Sequence, residues 1–164
     1  MGNIILIGMP ASGKSTIGVV VAKRLGYDFI DTDLLIQKRE KKKLKDIIAG
    51  KGIEEFLKIE EQVNLSVSPE GAVIAPGGSV IYSEKAMQHF KEIGTVVYLK
   101  VPYRTIRRRI RDPKKRGVVL KEGQTLRNLY DERVPLFEKY ADITICESGL
   151  TLGETTDKVV EACE

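Results

Sequence analysis

The stretch Gly8-Met9-Pro10-Ala11-Ser12-Gly13-Lys14-Ser15 holds the residue types that bind a polyphosphate. Its pattern, G-x-x-x-x-G-K-[ST], brings backbone N–H groups, an ammonium and a hydroxyl to one turn. Gly8 and Gly13 allow backbone angles and close approaches that a Cβ would hinder. The N–H groups of Ala11, Ser12, Gly13, Lys14, Ser15 and Thr16 then converge on an anion at a helix N-terminus. Lys14 is placed to reach the outer phosphates of a nucleotide, and the Ser15 hydroxyl to join a magnesium shell.

A second chemical feature is Asp31-Thr32-Asp33. Two acids two residues apart at a strand end can face the same side. One can lie near magnesium while the other holds an acceptor hydroxyl. The competing role is a helix cap, which needs only one oxygen donor from Asp31 or Thr32. A third feature is Pro76-Gly77-Gly78-Ser79, where paired glycines after a buried run fit either close approach of backbone to a ligand or a tight turn. Arg104, Arg107, Arg108, Arg109 and Arg111 crowd one short segment, and Arg116 follows in a stretch punctuated by Pro113, Gly117 and Gly123. The run Lys38 to Lys43 reads as a solvated helix end. His89, the single histidine, reads as an exposed helical residue.

The elements that must carry these groups alternate regularly. Asn3–Ile7 is apolar and β-branched, as a buried parallel strand is. A helix over 16–25 follows, closed by Gly26. Further strands are expected at 27–31, 72–75, 95–99 and 142–146. Helices are expected at 34–39, 44–49, 53–67, 83–93 (capped by Ser83), 103–111, 125–140 (bent or restarted at Pro135) and 152–163. Alternating strands and helices imply an α/β fold with a parallel sheet and right-handed crossovers. In such a fold the ligand lies beyond the carboxyl ends of the strands, where Asp31, Asp33 and the glycine loops fall. Residues 112–124 read as a mobile lid, and 33–67 as a helical segment beside the acceptor.

These motifs together resemble the shikimate kinase family, within the nucleoside-monophosphate-kinase-like P-loop fold. The resemblance spans nearly the whole chain. It rests on Phe29-Ile30-Asp31-Thr32-Asp33, on Val73-Ile74-Ala75-Pro76-Gly77-Gly78, on Arg116, and on the stretch from Arg133 to Asp142. It implies a three-layer P-loop NTPase sandwich with a five-stranded parallel sheet flanked by helices and a lid. The implied activity is transfer of the ATP γ-phosphate to a ring hydroxyl of shikimate, with ATP and Mg2+ bound. Lys14 and Arg116 would touch the transferring phosphate, and Ser15 with Asp31 would hold magnesium. Asp33 would bind the acceptor hydroxyl, and Gly77 and Gly78 would offer N–H groups beside it. Arg133 would bind the substrate carboxylate, and Arg109 would pack against adenine.

The chain departs from the family pattern on the acceptor side. The family pattern Phe-Arg-x-x-Glu is here Phe56-Leu57-Lys58-Ile59-Glu60, with leucine at the arginine position. Glu60 thereby loses its expected ion-pair partner, and Leu57 is expected to pack against an apolar part of the acceptor if that acceptor is not shikimate. Ser79 stands at the third glycine of the loop, and Val118-Val119 follow Arg116-Gly117 where the lid has a proline and leucines. Another acidic alcohol, such as a sugar acid or hydroxy amino acid, is the alternative acceptor.

Composition narrows the remaining classes. At 164 residues, with 42% hydrophobic and 30% charged residues, the chain reads as one globular domain. A net charge of +4 suits an anionic ligand. The arginine-rich segment lacks the interleaved aromatics of a nucleic-acid binder, so no nucleic-acid partner is expected. No apolar run reaches membrane-spanning length, so no membrane partner is expected either. With a first strand beginning at Asn3 and only Cys146 and Cys163, a cytoplasmic monomer is expected.

Overall fold

The computed structural model describes residues 2–164. Five strands form one parallel sheet in the order β2-β3-β1-β4-β5. They are β1 (Asn3–Ile7), β2 (Asp28–Asp31), β3 (Ala72–Ala75), β4 (Gly94–Lys100) and β5 (Ile143–Cys146). Eight α-helices connect and flank them: α1 (Lys14–Leu25), α2 (Thr32–Glu40), α3 (Leu44–Lys51), α4 (Ile53–Ser66), α5 (Glu84–Ile93), α6 (Tyr103–Arg109), α7 (Leu126–Tyr140) and α8 (Leu152–Cys163). The parallel sheet expected from the alternation, and the three layers implied by the family resemblance, are thus the ones observed.

Side-chain alternation along β1 divides the core. Ile5 and Ile7 face one layer with Phe90 of α5, Ile106 of α6 and Phe137 of α7. Ile4 and Leu6 face the other, with Ile17 and Val21 of α1 and Val159 and Val160 of α8. Every residue of β1 and β3 is buried, as a strand covered on both faces requires. A third cluster joins α2, α3 and α4 through Ile36, Ile47, Phe56, Ile59 and Val63, and Val119 from the α6–α7 connection inserts into it.

β1 has β3 on one side and β4 on the other. The chain leaves β1 through α1 towards β2 on one side, and leaves β3 through α5 across β1 to β4 on the other, which opens a crevice at the carboxyl ends of β1 and β3. The Gly8–Ser15 loop begins there.

Four local expectations need correction. α6 stops at Arg109 rather than Arg111, because Ile110 leaves the helix in an extended conformation and turns into the core. α7 is one helix through Pro135, so of the bend or restart expected there the restart does not occur. His89 is half-buried rather than exposed, with Nε2 2.7 Å from the Val67 carbonyl oxygen. A 3-10 helix over Gly78–Tyr82 replaces the expected loop.

Candidate active site

The phosphate loop takes its shape from the junction of β1 and α1. Gly13 caps α1 at φ 92°, a left-handed conformation that a glycine adopts without strain. Ser12 N donates to Met9 O at 3.1 Å and Ile17 N to Gly13 O at 2.8 Å, which sets the turn. The Lys14 ammonium folds back over this loop, donating to Gly8 O at 2.9 Å and Met9 O at 2.8 Å. Burial pushes its pKa down to about 8; Asp33 opposes that shift, and the positive charges of Arg133 and Arg116 add to it. An ammonium held this way is primed for an anion, since its charge is only partly compensated.

Asp31 does two things at once. It caps α2, its Oδ1 accepting from Asp33 N at 2.9 Å and Leu34 N at 3.4 Å. Its Oδ2 accepts from Ser15 Oγ at 3.3 Å. The cap and the active-site carboxylate therefore coexist in one residue, using different oxygens. Asp33, in the first turn of α2, lies beside Gly77, where a side chain would sit 2.7 Å from Asp33 Oδ1. Burial, with the negative charge of Asp31, pushes Asp33 up to about 6 against the pull of Lys14. That is the range of a carboxylate able to take a proton near neutral pH.

A cleft of about 170 Å³ brings Lys14, Ser15, Asp31, Asp33, Gly77, Gly78, Arg116 and Arg133 together. Ala11, Gly13 and Thr16 line its phosphate-loop edge, while Ser12 is fully buried beneath it. Gly78 leaves room for Arg133, whose Nη1 would lie 2.9 Å from a side chain there. Arg133 is only 1% exposed, an unusual place for a guanidinium unless it has work to do. The α6–α7 connection folds over the cleft. Arg116, Gly117, Val118 and Val119 line it, and Val118 and Val119 anchor in separate hydrophobic clusters.

Two residues lie apart from this cleft. Arg109 lines a second cavity of about 430 Å³ between α6 and the β5–α8 loop. Its Nη1 donates to Ala11 O at 2.9 Å, so that cavity abuts the phosphate loop. Leu57 does not line the central cleft; it lines a neighbouring cavity that shares Glu60 and Ser79 with it. Its helical position turns it behind the Glu60–Ser79 wall.

The sequence names Glu60 through its motif but not its partner, and it does not single out Glu147 or Tyr82. Glu60 is buried and its carboxylate accepts from Ser79 Oγ at 2.8 Å. Burial raises it to about 7, opposed by the Ser79 hydrogen bond. Glu147 in the second cavity is also buried, one carboxylate oxygen has no partner, and burial raises it to about 7 against the pull of Arg109 and Lys14. Tyr82 touches Arg133 and carried no motif. A glutamate just beyond a strand end was the only available signal for Glu147.

The comparisons with known proteins agree with this geometry. The family model described as shikimate kinase matches residues 10–164. A shikimate kinase from Thermodesulfovibrio yellowstonii is 34% identical over 100% of this chain and 96% of its own length. One from Clostridium botulinum (strain 657 / Type Ba4) is 40% identical over 91% of this chain and 89% of its own. Among solved structures, the Acinetobacter baumannii shikimate kinase in complex with shikimate superposes with a TM-score of 0.90 at 28% identity, covering 99% of this chain and 92% of that one. The Aquifex aeolicus enzyme gives 0.81 at 30% identity, covering 98% and 94%.

Proposed function

The chain belongs to the shikimate kinase family, and from that premise we propose that it transfers the γ-phosphate of ATP to a ring hydroxyl of shikimate, giving shikimate 3-phosphate. The observation that carries this reading is the shared cleft. A phosphate loop, two carboxylates and two guanidiniums meet in one concavity.

Phosphoryl transfer asks a protein for alignment and charge neutralisation more than for covalent chemistry. The loop N–H groups and the α1 N-terminus hold the phosphates. Lys14 exchanges its carbonyl partners for phosphate oxygens, and Arg116 of the lid meets the charge that develops on the transferring group. Ser15 Oγ and Asp31 Oδ2 lie 3.3 Å apart beside the loop. Two adjacent hard oxygens with open valence fit Mg2+, which keeps most of its remaining positions for water and phosphate. When bound there, Mg2+ would neutralise charge on the β- and γ-phosphates.

Asp33 receives the acceptor hydroxyl and takes its proton as the oxygen attacks phosphorus. The backbone of Gly77 and Gly78 passes close enough to donate to the acceptor or the γ-phosphate, with no side chain in the way. Arg133 grips the acceptor carboxylate from a buried position. Arg109 and the second cavity take the adenine, within reach because Arg109 is tied to the loop at Ala11. No helix among the described residues is long and apolar enough to cross a membrane. With Cys146 and Cys163 both free thiols, a cytoplasmic setting suits the chain.

The test is direct. Purified protein with ATP, Mg2+ and shikimate is assayed for ADP release and, by 31P NMR, for a phosphomonoester on shikimate. Both signals are expected, with near-complete loss in folded Lys14→Ala and Asp33→Asn variants. ADP release that ignores shikimate would overturn the reading.

A further inference from the structure

Arg133 must present its guanidinium in one orientation to bind a carboxylate bidentately, because the fork is planar. The structure shows what fixes that plane. Arg133 Nε donates to Tyr82 Oη at 3.3 Å, and Nη2 reaches the Val119 carbonyl oxygen at 3.4 Å. The Tyr82 ring lies 5.3 Å from Cζ. With Nε engaged from behind, the Nη1 edge faces Gly78 and the cleft.

Tyr82 is itself held. Its hydroxyl donates to Glu132 Oε2 at 2.7 Å, and Gln124 Nε2 donates to the same oxygen at 3.2 Å. Gln124 Oε1 accepts from Lys121 N at 3.1 Å. The chain of contacts runs from the carboxyl end of the lid, through Glu132 on α7, to a tyrosine at the end of the 3-10 helix that starts at Gly78. It arrives at Arg133, the buried guanidinium of the cleft.

We propose that Tyr82 is a positioning residue for Arg133, and that its hydrogen bonds to Glu132 and Arg133 tie the orientation of the acceptor-binding guanidinium to the seating of the lid. This rests on Arg133 gripping the acceptor carboxylate. Tyr82 does not touch the reacting atoms. Its contribution is to acceptor affinity: without the hydroxyl, the guanidinium samples rotations in which the fork no longer meets the carboxylate.

Tyr82→Phe removes the hydroxyl and keeps the ring, and exposed Glu132 is left to water. The loss of one ordinary hydrogen bond predicts a rise of about three- to tenfold in the acceptor KM. Turnover at saturation and the KM for ATP should stay within about twofold, while the melting temperature should fall by a few degrees because the buried Nε loses its acceptor. A second readout needs no substrate. The Arg133 Nε–H resonance in 1H–15N spectra, assigned by its loss in Arg133→Lys, should be protected from solvent exchange in the wild type and exchange faster in Tyr82→Phe. An unchanged exchange rate overturns the proposal whatever the kinetics show. Faster exchange with an unchanged acceptor KM overturns the link to the acceptor. Wild-type protein that neither binds nor phosphorylates shikimate removes the functional reading instead, and the exchange measurement still decides whether Tyr82 positions Arg133.

Discussion

The Ser79 hydroxyl lies 2.8 Å from both carboxylate oxygens of Glu60, inside the wall of the acceptor cleft. Both residues are buried. The serine at the third glycine of the loop thus supplies Glu60 with a partner that the leucine at position 57 cannot. Two departures from the family pattern, distant in sequence, meet at one carboxylate.

The pairing has a pH signature. Burial raises Glu60 from an ordinary 4.5 to about 7. The folded state therefore holds this proton more tightly than the unfolded chain. Its contribution to stability is full below about pH 4.5 and is lost as pH rises through about 7. Ser79 limits that loss by bonding the ionised form. Ser79→Ala should cost about 1.5–3 kcal/mol above pH 7 and distinctly less near pH 5. Urea midpoints at both pH values check this, and an equal deficit at the two would contradict it.

Leu57→Arg is predicted to couple to Ser79. An arginine introduced at 57 can approach Glu60 along α4 at i,i+3 spacing, but Ser79 already occupies the carboxylate. Leu57→Arg alone should change the KM for shikimate little. Combined with Ser79→Gly it should improve binding by up to about 1.5–3 kcal/mol. Specificity constants around the double-mutant cycle measure the coupling. Strict additivity would show that the two positions do not share Glu60.

The pH dependence of kcat/KM for ATP should be bell-shaped. Asp33, raised to about 6, must be ionised to accept the hydroxyl proton, so activity falls as pH drops through that value. Lys14, lowered to about 8, must be charged to meet phosphate, so activity falls as pH rises through that value. Bound phosphate stabilises the charged lysine, so the alkaline limb should move upward in the profile of kcat. Coincident alkaline limbs in the two profiles would argue against Lys14 as their source.

Much of this site was legible because its chemistry is local. Gly8 to Ser15, Asp31 with Asp33, and Gly77-Gly78 each sit at a strand end, where the α/β pattern alone says the ligand goes. What was illegible depends on side chains meeting across the fold. Leu57 could be placed on a helix but not turned away from the cleft without knowing how α4 packs on the 3-10 helix. Tyr82 follows Val80-Ile81 with no periodic signal, and its role exists only through Arg133 and Glu132. α6 gave way at Ile110 because burying that side chain outweighed continuing a short helix. That Asp31 both caps α2 and accepts from Ser15 could not be read, since each use needs only one aspartate at a strand end.

Arg116→Ala should lower turnover far more than nucleotide affinity. An arginine brought to transition-state charge can contribute about 10³ or more in rate. Lys114 and Lys115 beside it on the lid are both exposed and can cover part of the loss. Calorimetry with a non-hydrolysable ATP analogue and steady-state kinetics separate the two effects. Weakened binding with unchanged turnover at saturating ATP would assign Arg116 to the ground state only.

Shikimate is the proposed acceptor, with its carboxylate on Arg133 and its hydroxyl on Asp33. Specificity constants for shikimate against a panel of sugar acids and hydroxy amino acids, at fixed saturating Mg-ATP, test this assignment most directly. Shikimate should be the best acceptor by a wide margin, with a large loss of its specificity constant in Arg133→Lys. A different acidic alcohol turned over far more efficiently than shikimate would contradict it.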